Sequence, residues 1–344
     1  MGIKVIRKLP DPTDMREKVP LSAALKKIKD QRDQELKAIT EGSDSRFLVI
    51  IGPCSADDED AVIEYTHRLA KVVEKVKDKL FIIPRIYTNK PRTTGAGYKG
   101  MLHQPDPQSA PNMADGIMAI RNMHVRCIKE TGLTAADEML YPDNLVYCED
   151  LLGYIAIGAR SVENQHHRLT TSGVDIPVGL KNPTSGDLAV MFNGIQAAQS
   201  PHTFIYRNDE VETSGNPLAH AIIRGSVNRH GEDIPNYHYE DLQRAVEIYK
   251  SRNLINPMIV VDTNHSNSGK KYKEQSRIAK DILYTRNHND MIKKVVRGLM
   301  IESYLLEGAQ DLQKGEYEHG RSITDPCLGW NDTEALLYHI ADNV

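Results

Sequence analysis

The feature that most constrains the fold is a series of eight short, nearly continuous apolar runs separated by helix-length segments. Runs of this kind are typical of parallel strands that are buried on both faces of a sheet. Eight strand–helix units fit an α/β fold of the (β/α)₈ TIM-barrel type better than a doubly wound sheet, which usually has about five or six strands. The predicted strands are Phe47–Gly52, Phe81–Tyr87, Thr134–Leu140, Tyr154–Arg160, Ile176–Asn182, Ala221–Gly225, Met258–His265 and Val296–Ser303.

Two segments lie outside the repeating pattern. Residues 1–20 contain three prolines and little apolar periodicity, which indicates a mobile or partner-dependent arm. Residues 21–41 have the spacing of one charged helix, and Gly42 is a suitable residue to end it. Residues 202–208 and 211–217 predict a β-hairpin inserted before the sixth barrel strand.

Composition excludes several classes of function. The 43 basic and 47 acidic side chains give a formal net charge of −4, so no strong field attracts nucleic acid or an anionic membrane. No apolar run approaches the about 18–20 residues of a membrane span, and the N-terminus has neither a signal segment nor a myristoylation pattern. The four widely spaced cysteines argue against a disulfide scaffold. We therefore expect a cytoplasmic enzyme.

Cationic side chains occur where the predicted strands end. In a barrel all carboxyl ends of the strands meet at one face, which is where active sites are built. Any single Arg or Lys after a strand is most simply a solvated charge, but six at one rim repel one another unless anions neutralise them. The six are Arg85, Lys90, Arg92, Arg160, Lys181 and Arg224. Together they predict a site for more than one phosphate or carboxylate group.

A second set of strand-end residues offers metal ligands: Cys54, His265, Glu302 and Asp325. A thiolate, an imidazole and two carboxylates suit Mn²⁺, Fe²⁺, Co²⁺ or Zn²⁺ better than Mg²⁺. Their spacing is not a local metal motif, so the prediction depends on the barrel bringing them together. Taken alone, Cys54 is most simply interpreted as a small buried apolar residue and His265 as a structural histidine.

One motif is misleading. Residues 95–100, GAGYKG, match the dinucleotide-binding pattern GxGxxG. That fingerprint requires a preceding strand and a helix that opens at the glycines. Here Lys90–Thr94 precede it and a proline-rich loop follows, so a Rossmann fold is not indicated.

The strand-end motifs occur in one order along the chain: Gly52-Pro53-Cys54-Ser55, Lys90-Pro91-Arg92-Thr93-Thr94, Gly158-Ala159-Arg160, Lys181-Asn182, Arg224-Gly225, Asp262-Thr263-Asn264-His265, Glu302-Ser303 and Ser322-Ile323-Thr324-Asp325. In this combination the chain resembles the 3-deoxy-D-arabino-heptulosonate 7-phosphate (DAHP) synthases, in particular their short, feedback-regulated microbial class (class I). The resemblance implies a TIM barrel that condenses phosphoenolpyruvate with D-erythrose 4-phosphate and water to give DAHP and phosphate. This reaction is the first step of the shikimate pathway to chorismate and the aromatic amino acids.

The resemblance also implies roles for residues by their positions. The four ligands named above would hold a divalent metal, Mn²⁺ or one of Fe²⁺, Co²⁺ and Zn²⁺. Arg160 and Arg224 would bind the phosphate of phosphoenolpyruvate, while Arg85 and Lys181 would bind its carboxylate.

Erythrose 4-phosphate would be held by Arg92 and Thr93 through its phosphate. Lys90 would lie at the reacting centre between the two substrates, and Glu138 would orient the water that adds to C2. The residues that this resemblance implies as catalytic are therefore Lys90, Glu138, His265 and Cys54.

Regulation and assembly are further expectations from the resemblance. Residues 1–45 would form a regulatory or oligomerising extension, and residues 46–344 the catalytic barrel. The resemblance implies feedback inhibition by Phe, Tyr or Trp and assembly into a homodimer or homotetramer. It implies no nucleic-acid or membrane partner. The chain departs from the family's usual pattern at Thr88-Asn89, where Phe-Glu is common, which bears on loop contacts and effector preference.

Three hypotheses stay open from the sequence. A sister enzyme would condense phosphoenolpyruvate with a different phosphosugar, and a catalytically dead paralogue would have lost a metal ligand or a phosphate-binding cation. Separately, Cys54 and Cys327 are candidates for an oxidative disulfide, because Cys327 lies two residues after Asp325.

Overall fold

The structure is a computed structural model that describes residues 2–92, 94–312 and 317–344. Its strands are β1 (Phe47–Gly52), β2 (Leu80–Pro84), β3 (Ala136–Glu138), β4 (Tyr154–Ile157), β5 (Val178–Lys181), β6 (His202–Tyr206), β7 (Asp209–Thr213), β8 (Ala219–Ile223), β9 (Ser226–Val227), β10 (Asp233–Ile234), β11 (Ile259–Asp262) and β12 (Val296–Glu302). Its helices are α1 (Pro12–Lys18), α2 (Ala23–Glu41), α3 (Glu59–Val76), α4 (Met113–Thr131), α5 (Pro142–Leu145), α6 (Gln165–Thr171), α7 (Leu188–Ala198), α8 (Tyr239–Ser251), α9 (His265–Ser268), α10 (Glu274–His288), α11 (Asp290–Val295) and α12 (Trp330–Asn343).

Eight parallel strands form the central sheet in the order β2-β1-β12-β11-β8-β5-β4-β3. The two end strands meet through a parallel bridge between Arg85 and Ala136, where the Ile86 N–H donates to the Ala136 carbonyl at 2.9 Å. This bridge closes the sheet into a barrel, and helices flank it. The predicted (β/α)₈ barrel is therefore confirmed.

Alternate residues of each strand enter different apolar clusters, which explains why the runs are apolar throughout. Leu48 and Ile50 of β1 face the barrel interior together with Val260, whereas Val49 and Ile51 pack in the layer between strands and helices. Burial on both faces is the reason that these strands show no polar alternation.

Helix α2 covers one end of the barrel. It begins after Ser22, whose hydroxyl accepts from the Leu25 N–H, and ends at Gly42 with a φ of 84°, so the predicted helix is confirmed. Leu36 and Ile39 of α2 join the interior cluster. With one end closed by this helix, the end at which the strands terminate remains for a site.

The N-terminal arm contains structure that its prolines did not predict. Asp11 accepts a hydrogen bond from the Thr13 N–H and caps α1, whose Met15 is buried. Arg16 donates to the Val146 carbonyl at 3.2 Å, and the Tyr147 hydroxyl donates to the Pro10 carbonyl at 3.1 Å. The arm is thus anchored to the barrel between β3 and β4.

Two small antiparallel ribbons extend from the barrel. Strands β6 and β7 pair from His202 opposite Thr213 to Tyr206 opposite Asp209, between α7 and β8. The second of these strands ends four residues earlier than the sequence suggested. Strands β9 and β10 lie within the long loop of residues 225–237. None of the described helices combines the length and the apolarity that a membrane span requires.

Candidate active site

A cavity of about 250 Å³ lies at the carboxyl ends of the barrel strands. Of the twelve residues that the sequence predicted for the site, ten line it: Cys54, Arg85, Lys90, Arg92, Glu138, Arg160, Lys181, Arg224, His265 and Asp325. Glu302 lies at the edge of this group beside Arg85, and Thr93 lies outside the described residues. The strand ends therefore converge as the sequence predicted.

Strand register brings the candidate metal ligands together. Gly52, the last residue of β1, pairs with Glu302, the last residue of β12, so Cys54 follows two residues beyond this pair. The chain after β12 then returns to pair with its end, because the Leu328 N–H donates to the Glu302 carbonyl at 3.0 Å. That return carries Asp325 back over Cys54.

Three of the four predicted ligands form one cluster. Single ligand atoms of Cys54, Glu302 and Asp325 all lie within 4.8 Å of one another. His265 lies beside this cluster, with its Nε2 3.8 Å from Glu302 Oε1, but its ring is not within that distance of all three. The cluster has the donor atoms that a transition metal ion requires.

The residues present fit such an ion. Glu302 Oε1 is buried and has no hydrogen-bond partner among the described residues, although Arg85 Nη2 lies 3.0 Å from it. The Lys90 ammonium lies 2.7 Å from Cys54 Sγ and 3.0 Å from Asp325 Oδ2, so a positive charge already balances this thiol–carboxylate group. Buried anionic ligands of this kind need a cation beside them.

Burial and neighbouring charges shift the pKa values of the acid–base groups in this cluster. Burial raises the pKa of the Cys54 thiol and Glu302 raises it further, against the opposing charge of Lys90. Burial also raises the pKa of Asp325, but the Lys90 and Lys270 ammonium groups outweigh it and hold that pKa well below its ordinary value. Burial lowers the pKa of Lys90, but the surrounding anions outweigh it, so Lys90 remains a cation.

His265 is held in an unusual conformation at the end of β11. Its φ is 49°, in the left-handed region that residues other than glycine rarely adopt. Its Nδ1 lies 2.9 Å from Asp262 Oδ2, which also accepts a hydrogen bond from Lys181 Nζ at 3.0 Å. Burial raises the pKa of Asp262, but the charges of His265 and Lys181 outweigh it and keep it a carboxylate. Such strain is common where a side chain must be aimed at a site.

Two pairs of cations in the cavity differ in what balances their charge. Arg85 and Lys181 are buried and lie 3.0 Å from Glu302 and Asp262, respectively. Arg160 and Arg224 have no acidic partner within hydrogen-bonding or ion-pair distance in the described parts of the chain. Arg224 is 8 % exposed, and its Nη1 is buried without a hydrogen bond to any described residue. An anion in the cavity would supply the missing partner.

Glu138 reaches the cavity from the end of β3 and is buried beside the end of β4. A Cβ added at Gly158 would lie 3.1 Å from Glu138 Cδ and closer still to Oε1, so only glycine leaves room for this carboxylate. Burial raises the pKa of Glu138, while Lys181, Arg85 and Lys90 oppose that shift without cancelling it. The group therefore holds a proton more readily than an exposed glutamate does.

Sequence reasoning missed several residues of the site. Lys270 lines the cavity and donates to Asp325 Oδ1 at 3.0 Å. Asn264 donates to Glu302 Oε2 at 2.6 Å, and Tyr87 lies under the Arg85 guanidinium at 3.7 Å from the ring centre. Lys270 follows the His265–Ser268 turn, so its position after a strand was an available signal. The aromatic contact left no signal in the sequence.

A larger cavity, of about 860 Å³, lies on the outside of the barrel between α7 and α8. It is lined by apolar residues such as Leu188 and Ile248 and by surface arginines such as Arg244. None of the predicted ligand or substrate residues reaches it, so the chemistry belongs to the smaller cavity.

The fold and the site define a class: a (β/α)₈-barrel enzyme in which cationic side chains and a thiol–carboxylate cluster with the donor atoms for a metal ion meet at the carboxyl ends of the strands. The chain belongs to the DAHP synthetase I family, whose model matches residues 23–338. It is thus an enzyme of the transferase type.

Known relatives extend over almost the whole chain. The phospho-2-dehydro-3-deoxyheptonate aldolase of Haemophilus influenzae is 39 % identical over 99 % of this chain and 92 % of its own length. The Phe-sensitive enzyme of that name from Escherichia coli is 37 % identical over 100 % and 97 %. The solved structure of the Francisella tularensis enzyme covers 100 % of this chain and 98 % of its own, with 32 % identity and a TM-score of 0.92. Other relatives are described as Tyr-sensitive or Trp-sensitive.

Proposed function

We propose that the protein condenses phosphoenolpyruvate with D-erythrose 4-phosphate and water to give DAHP and inorganic phosphate. The observation that carries the proposal is the cavity itself, in which Arg160 and Arg224 have no acidic partner among the described residues and lie with Cys54 and Asp325. The phosphate group of a phosphorylated substrate would supply the negative charge that these arginines need. The family membership of the chain and the names of its relatives support the same reaction.

Different cations of the cavity would bind different anionic groups of the two substrates. Arg160 and Arg224 would bind the phosphate of phosphoenolpyruvate, because a dianion suits guanidinium groups that have no acidic partner in the described part of the chain. Arg85 and Lys181 would hold its carboxylate from the buried side of the cavity. Arg92 would bind the phosphate of erythrose 4-phosphate, and we extend this role to Thr93 from the sequence alone.

Cys54, His265, Glu302 and Asp325 would hold the divalent metal ion. When bound, the ion would supply Lewis-acid polarisation of the aldehyde oxygen of erythrose 4-phosphate. Because Cys54 Sγ and Asp325 Oδ2 both contact the Lys90 ammonium, the lysine would give up these contacts as substrates and ion bind. Its Nζ would then be free to donate a hydrogen bond at the reacting centre.

The chain's own residues would act mainly by position and charge. A bond forms between C3 of phosphoenolpyruvate and the aldehyde carbon, water adds to C2, and the C2–O bond breaks to release phosphate. Lys90 would donate to the oxygen that becomes a hydroxyl, and Glu138 would orient the water and accept its proton. The raised pKa of Glu138 suits a proton acceptor. Holding both substrates in line accounts for a large part of the rate.

The direct test is phosphate release from phosphoenolpyruvate, measured with and without erythrose 4-phosphate and with metal added or chelated. We expect release only with both substrates and with Mn²⁺ or another divalent transition ion present. A panel of other phosphosugars tests the choice of the second substrate. Release at the full rate from rigorously metal-stripped protein would contradict the metal site, and a faster reaction with a different phosphosugar would contradict the substrate.

We also propose feedback inhibition by an aromatic amino acid at the hairpin. A cavity of about 310 Å³ lies there, with an apolar lining that includes Val174, Phe204 and Val211. Glu149 also lines it and forms an ion pair with Arg16 of the N-terminal arm at 2.5 Å, which links the arm to the cavity. Assays with Phe, Tyr and Trp in turn identify the effector, and no response to any of them would contradict the proposal.

Assembly as a homodimer or homotetramer completes the proposal, with residues 1–45 as the regulatory and oligomerising part and residues 46–344 as the catalytic part. Support comes from the first residues of the arm, where Ile3, Val5 and Ile6 are 87 %, 82 % and 85 % exposed. Light scattering after gel filtration tests this proposal on the full chain and on a chain that lacks residues 2–8. A monomeric full chain would contradict it.

A further inference from the structure

A buried hydrogen-bond network lies behind the cavity, between the end of β3 and the segment that follows β2. Its centre is the Asp137 carboxylate, which is 5 % exposed. Asp137 Oδ1 accepts from the Thr88 N–H at 2.9 Å and from the Glu138 N–H at 2.6 Å, and Oδ2 accepts from the Thr88 hydroxyl. One side chain thus binds both chain segments that carry groups of the proposed reaction.

The network continues on the Lys90 side. The Asn89 side-chain amide donates to Thr88 Oγ1 at 3.3 Å, and Asn144 donates to Asn89 Oδ1 at 3.2 Å. Lys90 follows directly, and its N–H donates to the Lys99 carbonyl at 2.9 Å. Thr88 and Asn89 are 1 % and 5 % exposed, so these contacts are shielded from water.

The contacts of Asp137 are confined to the strand ends. His124 of α4 lies close by, but its Nε2 is 3.9 Å from Asp137 Oδ2 and makes no hydrogen bond to any described residue. A carboxylate that mainly fastened helix α4 to the barrel would bond to that histidine. Instead, the described hydrogen bonds of this carboxylate all come from Thr88 and Glu138.

We propose that Asp137 and Thr88 are positioning residues that fix Lys90 relative to Glu138. This inference rests on the proposed function, in which those two groups act on opposite substrates. Charge-assisted hydrogen bonds are short and directional, and a buried acceptor that loses its donors costs the full desolvation of the group. The network therefore holds the two segments at one separation, and a displacement of about 1 Å between catalytic groups can lower a rate about 100-fold.

Kinetics of hydroxyl variants test the positioning role. Thr88→Val removes the hydroxyl at nearly constant volume, and Thr88→Ser keeps it. We expect Thr88→Val to lower kcat by about tenfold or more, with KM for phosphoenolpyruvate within about twofold of the wild type, and Thr88→Ser to restore most of kcat. Thr40→Val is the matched control, because Thr40 is equally buried and donates to the Leu36 carbonyl at 2.9 Å at the opposite end of the barrel.

Hydrogen exchange of the full-length protein gives a readout that does not depend on activity. In Asp137→Ala the Thr88 N–H loses its acceptor, so peptides that cover residues 85–92 should exchange faster, with no such change in Thr40→Val. If Asp137→Ala fails to fold, Asp137→Asn is measured instead, with a smaller increase expected. If the wild type forms no DAHP, the proposed function fails, but the exchange experiment still shows whether Asp137 holds residues 85–92 in place.

Two results would overturn the inference. One is unchanged exchange of residues 85–92 in the folded Asp137 variant. The other is a fall in kcat that is equal in Thr88→Val and Thr88→Ser, or equal in Thr88→Val and the Thr40→Val control.

Discussion

Replacement of Gly158 by alanine should disable Glu138 while leaving the fold nearly intact. The three heavy atoms nearest to the added Cβ all belong to the Glu138 side chain, with Cδ at 3.1 Å and Oε1 closer. An ordinary contact begins near 3.4 Å, so the carboxylate has to retreat by about 1 Å. A shift of that size at a catalytic group costs about 100-fold in rate, or about 2.7 kcal/mol of transition-state stabilisation.

The variant should still fold, because the methyl group meets a flexible side chain and not the backbone. Overpacking of this kind costs about 1–3 kcal/mol. Gly194→Ala is the matched control, since its Cβ would meet Leu180 Cδ2 at 3.1 Å in the layer between α7 and β5, away from the cavity. Steady-state phosphate release and urea unfolding of both variants make the comparison. Activity of Gly158→Ala within about threefold of the wild type would refute the placement of Glu138.

Three further predictions follow from other buried groups. Burial and the charge of Asp58 raise the pKa of Asp57 to about 7. The free energy of unfolding of the wild type should therefore fall as the pH rises from about 4 through 7. In urea unfolding, Asp57→Asn should be up to about 4 kcal/mol more stable than the wild type at pH 8 but not at pH 4. Equal stability at pH 8 would contradict this. Cys54→Ala should lose metal-dependent turnover while its circular dichroism stays native, and full activity with metal bound would remove Cys54 from the site. Because Cys327 Sγ lies 3.4 Å from the Cys54 N–H, oxidation of metal-free protein should protect Cys54 and Cys327, but not Cys127 and Cys148, from iodoacetamide added after denaturation. Alkylation of Cys54 and Cys327 in the oxidised protein would exclude the disulfide.

Much of the fold and of the site composition was predictable because parallel strands impose strong rules. Apolar runs marked the eight strands, and the common direction of the strands placed Cys54, Lys181 and Arg224 at one face. Helix α2 was predicted within two residues, since its cap and its terminal Gly42 are local signals. Helix α1 was missed because seven residues are too short for a periodic pattern, and its stability comes from Met15 and the barrel contacts.

The geometry inside the site was not predictable, because it depends on contacts between residues far apart in sequence. Asp325 reaches Cys54 only through the return of the chain beside β12, and nothing in the local sequence shows that return. Likewise, Asp137 and Thr88 are 49 positions apart, so neither residue suggests the other. The position of His265 beside the cluster and not within it depends on its contact with Asp262 and on a left-handed backbone.

The sequence predicted six of the cations of the cavity, but only the structure shows which groups balance their charge. Arg85 and Lys181 face buried carboxylates, and breaking such a pair leaves an uncompensated charge that costs about 3–5 kcal/mol, so these two are fixed parts of the cavity floor. Lys90 contacts a thiol and a carboxylate that would also bind a metal ion. Arg92, Arg160 and Arg224 have no acid beside them among the described residues, but Arg92 Nε donates to the Tyr98 carbonyl at 2.8 Å, whereas Arg224 Nη1 is buried without a hydrogen bond to any described residue. These differences in charge compensation lead to the prediction that the first phosphate binds at Arg160 and Arg224.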